Sequence, residues 1–159
     1  MTFESWKEQV PESIRNDPLW GMRVYRVSLF ASDVCWRDAG TLRDEERTQP
    51  VADQLYRAVG SVGANVAEGY SRGTGKDRAR FYEYALGSAR ESRDWYFKGR
   101  FVLGEEVTRH RLHFMTEIIR LLLTIVPEQR GGKIREPDST YEASGGGMEE
   151  HLRNVPFAS

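Results

Sequence analysis

The sequence has 159 residues, with 23 Lys and Arg, 24 Asp and Glu, three His, one Cys and 39% hydrophobic residues. That is one soluble domain, able to bury roughly two-thirds of the surface of its unfolded chain without disulfides or a structural metal. A net charge of −1 excludes the uniformly basic nucleic-acid binder, whose pI exceeds about 9, no stretch reaches the ~20 apolar residues of a membrane span, and the start from Met1 to Glu4 lacks the basic and apolar regions of a signal peptide.

Residues 1–17 read as an N-terminal extension, in which Phe3, Trp6, Val10 and Ile14 fit a short docked helix interrupted by Pro11. Asp17 as N-cap and Pro18 in the first position open a first long helix, expected over 18–39. Leu19, Met22, Tyr25, Val27, Leu29, Phe30, Val34 and Cys35 recur near helical spacing up to Gly40, a C-terminal cap. A polar run from Thr41 to Arg47 leads to a second helix from near Thr48 to Gly69, with Val51, Leu55, Ala58, Val59, Val62, Val66 and Ala67 inside. The loop from Ser71 to Gly75 carries a capping signal, Thr74 with Asp77 three residues on. A third helix follows over 75–103, with Phe81, Tyr84, Ala85, Ser88, Ser92, Trp95 and Val102 on one side and Gly104 as its stop. Glu105 and Glu106 suit the first turn of a fourth helix, whose apolar positions Val107, Phe114, Ile118, Leu121, Leu122 and Ile125 end at Pro127.

No hairpin signal or tandem repeat appears, and four amphipathic helices with short connections imply an all-α, antiparallel up-down-up-down four-helix bundle over 18–127. Residues 128–159, rich in Gly, Pro, Ser and charge, read as a disordered tail. Charge is uneven along this plan. Residues 1–70 carry a net −3, residues 71–127 a net +4 and residues 128–159 a net −2. A near-neutral sum therefore hides a basic middle, and contact with a polyanion depends on the local potential.

The second helix has a polar stripe, Gln54, Arg57, Ser61, Asn65 and Glu68, flanked by the small residues Ala58, Gly60, Gly63, Ala64 and Ala67. Glycine inside a helix costs about 1 kcal/mol relative to alanine, so two here suggest that another backbone comes close. The third helix offers Gly87, Ser88 and Glu91 as counterpart. Antiparallel pairing about a loop near residues 72 and 73 puts Arg57 beside Ser88 and Glu91, a polar network with an Arg57 to Glu91 ion pair. A structural role, fixing register and anchoring the loop, is favoured over a catalytic use of Glu68 and Glu91, which lie turns apart with no nucleophile between them.

The runs Gln54-Leu55-Tyr56-Arg57-Ala58 and Ser61-Val62-Gly63-Ala64-Asn65-Val66-Ala67-Glu68-Gly69-Tyr70, followed by Phe81 and by Ala85-Leu86-Gly87-Ser88-Ala89-Arg90-Glu91, resemble a bacterial family. It is that of the four-helix-bundle proteins encoded by intervening sequences in large-subunit ribosomal RNA genes, related to the accessory variability protein of diversity-generating retroelements. The resemblance spans residues 19–127. It implies a small cytoplasmic bundle that assembles as a homopentamer and, from the retroelement relative, binding of nucleic acid and of a reverse transcriptase. The retroelement proteins are strongly basic and this chain is near neutral.

The third helix and the loop before it supply the candidate phosphate-contacting residues Arg72, Lys76, Arg80, Arg90, Arg93, Lys98 and Arg100, and repetition round a ring would multiply their contacts. Glu106, His110, His113 and Glu117 share a face of the fourth helix. A bundle di-metal site needs His from further helices, so neither a metal nor another cofactor is expected. Cys35 reads as core, and the run from Gly73 to Lys76 lacks the P-loop pattern. The sum is a non-enzymatic, oligomeric binding or scaffold protein with RNA or DNA as leading partner, or alternatively an adaptor for a protein partner.

Overall fold

The computed structural model describes residues 1–131 and 147–158, and these are helical almost throughout, with no strand among them. Four long helices dominate: α3 (Arg23–Arg43), α4 (Gln49–Tyr70), α5 (Gly75–Lys98) and α7 (Glu105–Arg130). Short helices fill the corners: α1 (Phe3–Gln9), α2 (Glu12–Arg15), α6 (Arg100–Leu103) and α8 (Met148–Arg153). The long helices pack in succession, α3 on α4, α4 on α5 and α5 on α7, whereas α3 and α7 approach each other over a much shorter stretch. Each buries an apolar stripe, for example Val27, Phe30, Val34 and Leu42 from α3 and Phe114, Ile118, Ile119 and Leu122 from α7.

Local chemistry explains most boundaries. Thr74 accepts from the backbone N–H of Asp77 at 3.1 Å and caps α5. Gly104 turns the corner from α6 into α7 with a φ of +82°, which side chains disfavour. Gly69 lets α4 meet α5, since a Cβ there would lie 2.6 Å from the ring of Tyr82.

Several expectations move. The first long helix starts at Arg23, because Asp17 and Pro18 begin a separate 3-10 turn, Pro18–Gly21, and Met22 is extended. It passes Gly40 and ends at Arg43, since Leu42 is fully buried and anchors the last turn. The third helix breaks at Gly99, where a side chain would press on Leu42. Pro127 does not stop the fourth helix. A proline removes one hydrogen bond there, while buried Val126, the Gln129 contact with Arg78 (2.7 Å) and the Arg130 ion pair with Glu83 (2.8 Å) hold the end against α5. Gly131, at φ +70°, is the actual cap.

The expected tail from 128 onward also differs where it is described. Residues 128–130 belong to α7, and α8 with the residues after it folds back onto α7 and α1, burying Met148, Leu152 and Val155. Apolar side chains at these three positions supply the reason: they leave water beside the α3 to α7 gap. Residues 132–146 lie outside the described residues. Next to α8, α1 packs Phe3 and Trp6 on α3, with their rings 5.3 Å from that of Phe30, and the Trp6 indole donates to Asp33.

Candidate functional site

The candidate phosphate-contacting residues form no single patch. Arg72, Lys76 and Arg80 stand near the start of α5, and Lys98 and Arg100 at its far end; a helix of 24 residues spans about 36 Å. Between them Arg90 is half-buried and Arg93 donates to Thr116 of α7 at 3.3 Å. What several share is an aromatic neighbour. The Arg72 guanidinium lies over Phe81 (4.5 Å), Arg80 over Tyr84 (5.7 Å), the Lys98 ammonium over Trp95 (3.8 Å) and Arg100 over both Phe97 and Phe101 (4.1 Å each). Arg72 also pairs with Glu68. Phe101 is 84% exposed.

The polar stripe of α4 stays at the surface. Arg57, Glu68 and Glu91 are exposed and Gln54, Ser61, Asn65 and Ser88 half-buried. The expected Arg57 to Glu91 ion pair is not formed among the described residues. Glu91 instead accepts from the indole of Trp95 (3.1 Å) on its own helix, and Asn65 donates to the carbonyl of Ser61 (2.8 Å). A side chain facing water satisfies its groups locally more readily than across helices. Gly60 and Gly87 have open space where a Cβ would be, so no backbone among the described residues accounts for them.

The polar network that is buried lies elsewhere, and helical spacing alone did not reveal it. Arg111 of α7 and Asp38 of α3 are 0% and 2% exposed. Arg111 donates Nε to Asp38 Oδ2 (2.7 Å) and Nη2 to Oδ1 (3.1 Å), and the buried Tyr96 hydroxyl of α5 donates to Oδ2 (3.0 Å). Each charge thus keeps a partner out of water, the condition for tolerating it there. Burial drives the Tyr96 hydroxyl well above its ordinary pKa and pushes the neighbouring Cys35 thiol up to about 12. Cys35 is therefore a neutral core residue. A sequence signal existed: Asp38 continues the buried row Val27, Ala31, Val34 and Cys35, and Arg111 lies between Val107 and Phe114, opposite charges in core register.

Arg111 also reaches outward. It donates Nη1 to His110 Nδ1 (2.8 Å) and Nη2 to the Pro156 carbonyl (2.7 Å). Because a guanidinium only donates, Nδ1 carries the lone pair, and His110 Nε2 carries the hydrogen donated to the His151 carbonyl at 3.0 Å. Burial first, and Arg111 second, lower the His110 pKa to about 4. All three histidines of the chain meet here: His151 lies with its ring centroid 5.3 Å from that of His110 and 5.6 Å from that of His113. They line an open cleft of about 500 Å³ with Glu106, Arg109, Glu150 and Arg153. Among the described residues no group of three or more potential ligands is arranged to hold a metal, and Glu117 is tied to Arg120.

No curated protein matches the chain. Among solved structures it is similar to the crystal structure of a protein with unknown function from the S23 ribosomal protein family of Bacteroides thetaiotaomicron VPI-5482, with 24% identity and a TM-score of 0.61 over 65% of this chain and 97% of that one. That likeness supports the helical fold. Residues 22–123, which hold the four long helices up to the last two turns of α7 and include Asp38, Tyr96 and Arg111, match the family described as 23S rRNA-intervening sequence protein, and the chain belongs to that family.

Proposed function

We propose that this protein is a non-enzymatic scaffold of the cytoplasm whose long helices form an antiparallel up-down-up-down bundle, whose copies assemble as a ring, and whose α5 side contacts structured RNA or DNA. The observation that carries the nucleic-acid reading is the company kept by the cations of α5 and of the start of α6. Arg80, Lys98 and Arg100 lie over aromatic rings, which leave their charge available to phosphate while offering π-faces to unstacked bases. The ring reading is supported by the exposed small residues Gly60, Ala64 and Gly87 on neighbouring helices, and the pentamer by the family resemblance.

The reading is tested by a mobility-shift assay with a structured RNA and a DNA duplex. Binding at low salt that weakens steeply as salt rises supports it, and absence of binding at low salt refutes it. A second reading, an adaptor for a protein partner such as a reverse transcriptase, draws on an apolar pocket of about 350 Å³ between α3 and α4, lined in part by Trp36, Ala39, Gly40, Ala52 and Tyr56. Trp36 there is 68% exposed, the kind of anchor that protein interfaces use.

A further inference from the structure

The residues matched by the family end at 123, yet the C-terminal segment 147–158 covers part of the matched core. Its Pro156 carbonyl accepts from buried Arg111, its His151 carbonyl accepts from His110, and the Phe157 ring lies over the guanidinium groups of Arg37 (4.1 Å) and Arg111 (5.4 Å). Glu149 pairs with Arg23 at the other end. We propose that residues 147–158 form a strap released by acid, with His110 as the trigger: its Nδ1 accepts from the guanidinium that holds the strap only while the imidazole is neutral.

The hydrogen-bond geometry makes the coupling. Neutral His110 accepts from Arg111 at Nδ1 and donates to the strap at Nε2. A second proton can enter only at Nδ1, where it points at the guanidinium that also holds Pro156 and Phe157. Protonation therefore costs Arg111 its acceptor at Nδ1 and sets two like charges side by side beneath the strap, while the Nε2 bond to the His151 carbonyl stays.

Among the described residues the surroundings do not absorb the new charge. From α7 the cleft receives Glu106, Arg109 and His113, and from the strap Glu150, His151 and Arg153; two carboxylates are matched by two guanidinium groups. Asp38 of α3 is engaged by Arg111 and by Tyr96 of α5, Arg37 of α3 adds a positive charge beneath Phe157, and Met1 borders the adjoining hollow together with Glu106 and Arg153. A proton on His110 leaves the described part of the cleft positive, with the His151 ring of the strap 5.3 Å away, centroid to centroid. Burial, to which the strap contributes, is the first cause that holds the docked His110 pKa down to about 4, and release of the strap moves the imidazole back towards its ordinary value, so acid favours release.

The test is amide hydrogen exchange of the full-length protein, read by mass spectrometry and corrected for intrinsic exchange rates. Between about pH 7 and about pH 5, protection of residues 147–158 is expected to fall on the order of tenfold while α4 and α5 keep theirs. In His110→Gln, whose amide can accept from Arg111 and donate to the strap without titrating, the segment is expected to be equally protected at both pH values. Phe157→Ala, which leaves every histidine in place, is expected to loosen the segment at both pH values and to retain the pH effect. The proposal is overturned by a wild-type strap insensitive to pH, by parallel loss of protection in α4 and α5, by a pH effect that persists in His110→Gln, or by a Phe157→Ala strap as protected as the wild type.

Discussion

Arg111 and Asp38, 73 positions apart in the chain, form a two-bond ion pair at the centre of the protein, with both side chains all but sealed from water. Such a pair is costly to assemble, because both charges lose hydration, and costlier still to break, because the survivor is left alone. Asp38→Ala is therefore expected to destabilise the fold by about 3–5 kcal/mol. Arg111→Met combined with Asp38→Leu is expected to cost much less than either substitution alone. Urea denaturation of the two single variants and the double variant measures this, and additive losses would contradict it.

Tyr96→Phe isolates the third member. Asp38 keeps both bonds from Arg111, so the change removes the bond to Asp38 and a weaker contact with the Cys35 thiol and leaves no charge unpaired. The expected loss is about 1–2 kcal/mol, clearly smaller than for Asp38→Ala, in the same denaturation experiment.

Glycines separate packing within the chain from packing between copies. A Cβ at Gly69 meets the Tyr82 ring at 2.6 Å, and one at Gly75 meets the backbone carbonyl oxygen of Gln129 at 2.4 Å, whereas Gly60 and Gly87 have nothing within 4 Å. Gly69→Ala and Gly75→Ala should lower the melting temperature. Gly60→Ala and Gly87→Ala should stabilise the isolated chain by up to about 1 kcal/mol. If these two glycines lie between copies, the same substitutions reduce the mass measured by sedimentation while the folded chain becomes more stable. An unchanged oligomer would remove this face from the interface.

The contrast between these sites and the long helices shows what a single sequence makes legible. Periodic apolar residues, the Thr74 cap and the Gly104 corner are local signals, and they place the four long helices to within a few residues at most ends. Gly40 and Pro127 are local signals that tertiary contacts override, through Leu42 in one case and Val126 with Gln129 and Arg130 in the other. The Asp38, Tyr96 and Arg111 cluster joins three helices; the core register of Asp38 and Arg111 is legible on each helix, but their pairing is not. The α4 stripe misled for a related reason: polar side chains at helical spacing define a face, and only the neighbouring helices decide whether that face is covered.

The histidine cleft predicts how stability responds to acid. The His110 pKa is depressed to about 4 in the folded protein, against an ordinary value near 6.5 in an unfolded chain. Between those values the unfolded state takes up a proton that the folded state refuses. The contribution is fully present above about pH 6.5 and is lost progressively as the pH falls towards about 4. Thermal unfolding across this window should show a falling melting temperature, and the fall should be shallower in His110→Gln. Equal slopes for the two proteins would assign the acid sensitivity to other groups.

Contact with nucleic acid has a charge signature that separates the two ends of α5. Lys76 and Arg80 stand near its start, and Lys98 and Arg100 roughly 30 Å away. Each cation that meets a phosphate contributes roughly one unit to the slope of log affinity against log salt. Replacing Lys98 and Arg100 by Gln should flatten that slope by about two if this end meets phosphate, and Lys76→Gln with Arg80→Gln tests the other end in the same way. Phe101→Ala removes an exposed ring but no charge. If the ring stacks on unpaired bases, this variant should weaken binding to single-stranded RNA by about 1–3 kcal/mol while leaving the salt slope unchanged. The pattern expected for a phosphate-and-base surface is thus a change of slope from the cation variants and a change of offset from the ring variant, both measured in salt titrations of the mobility shift. Arg57→Gln on the α4 stripe serves as the control and should change neither.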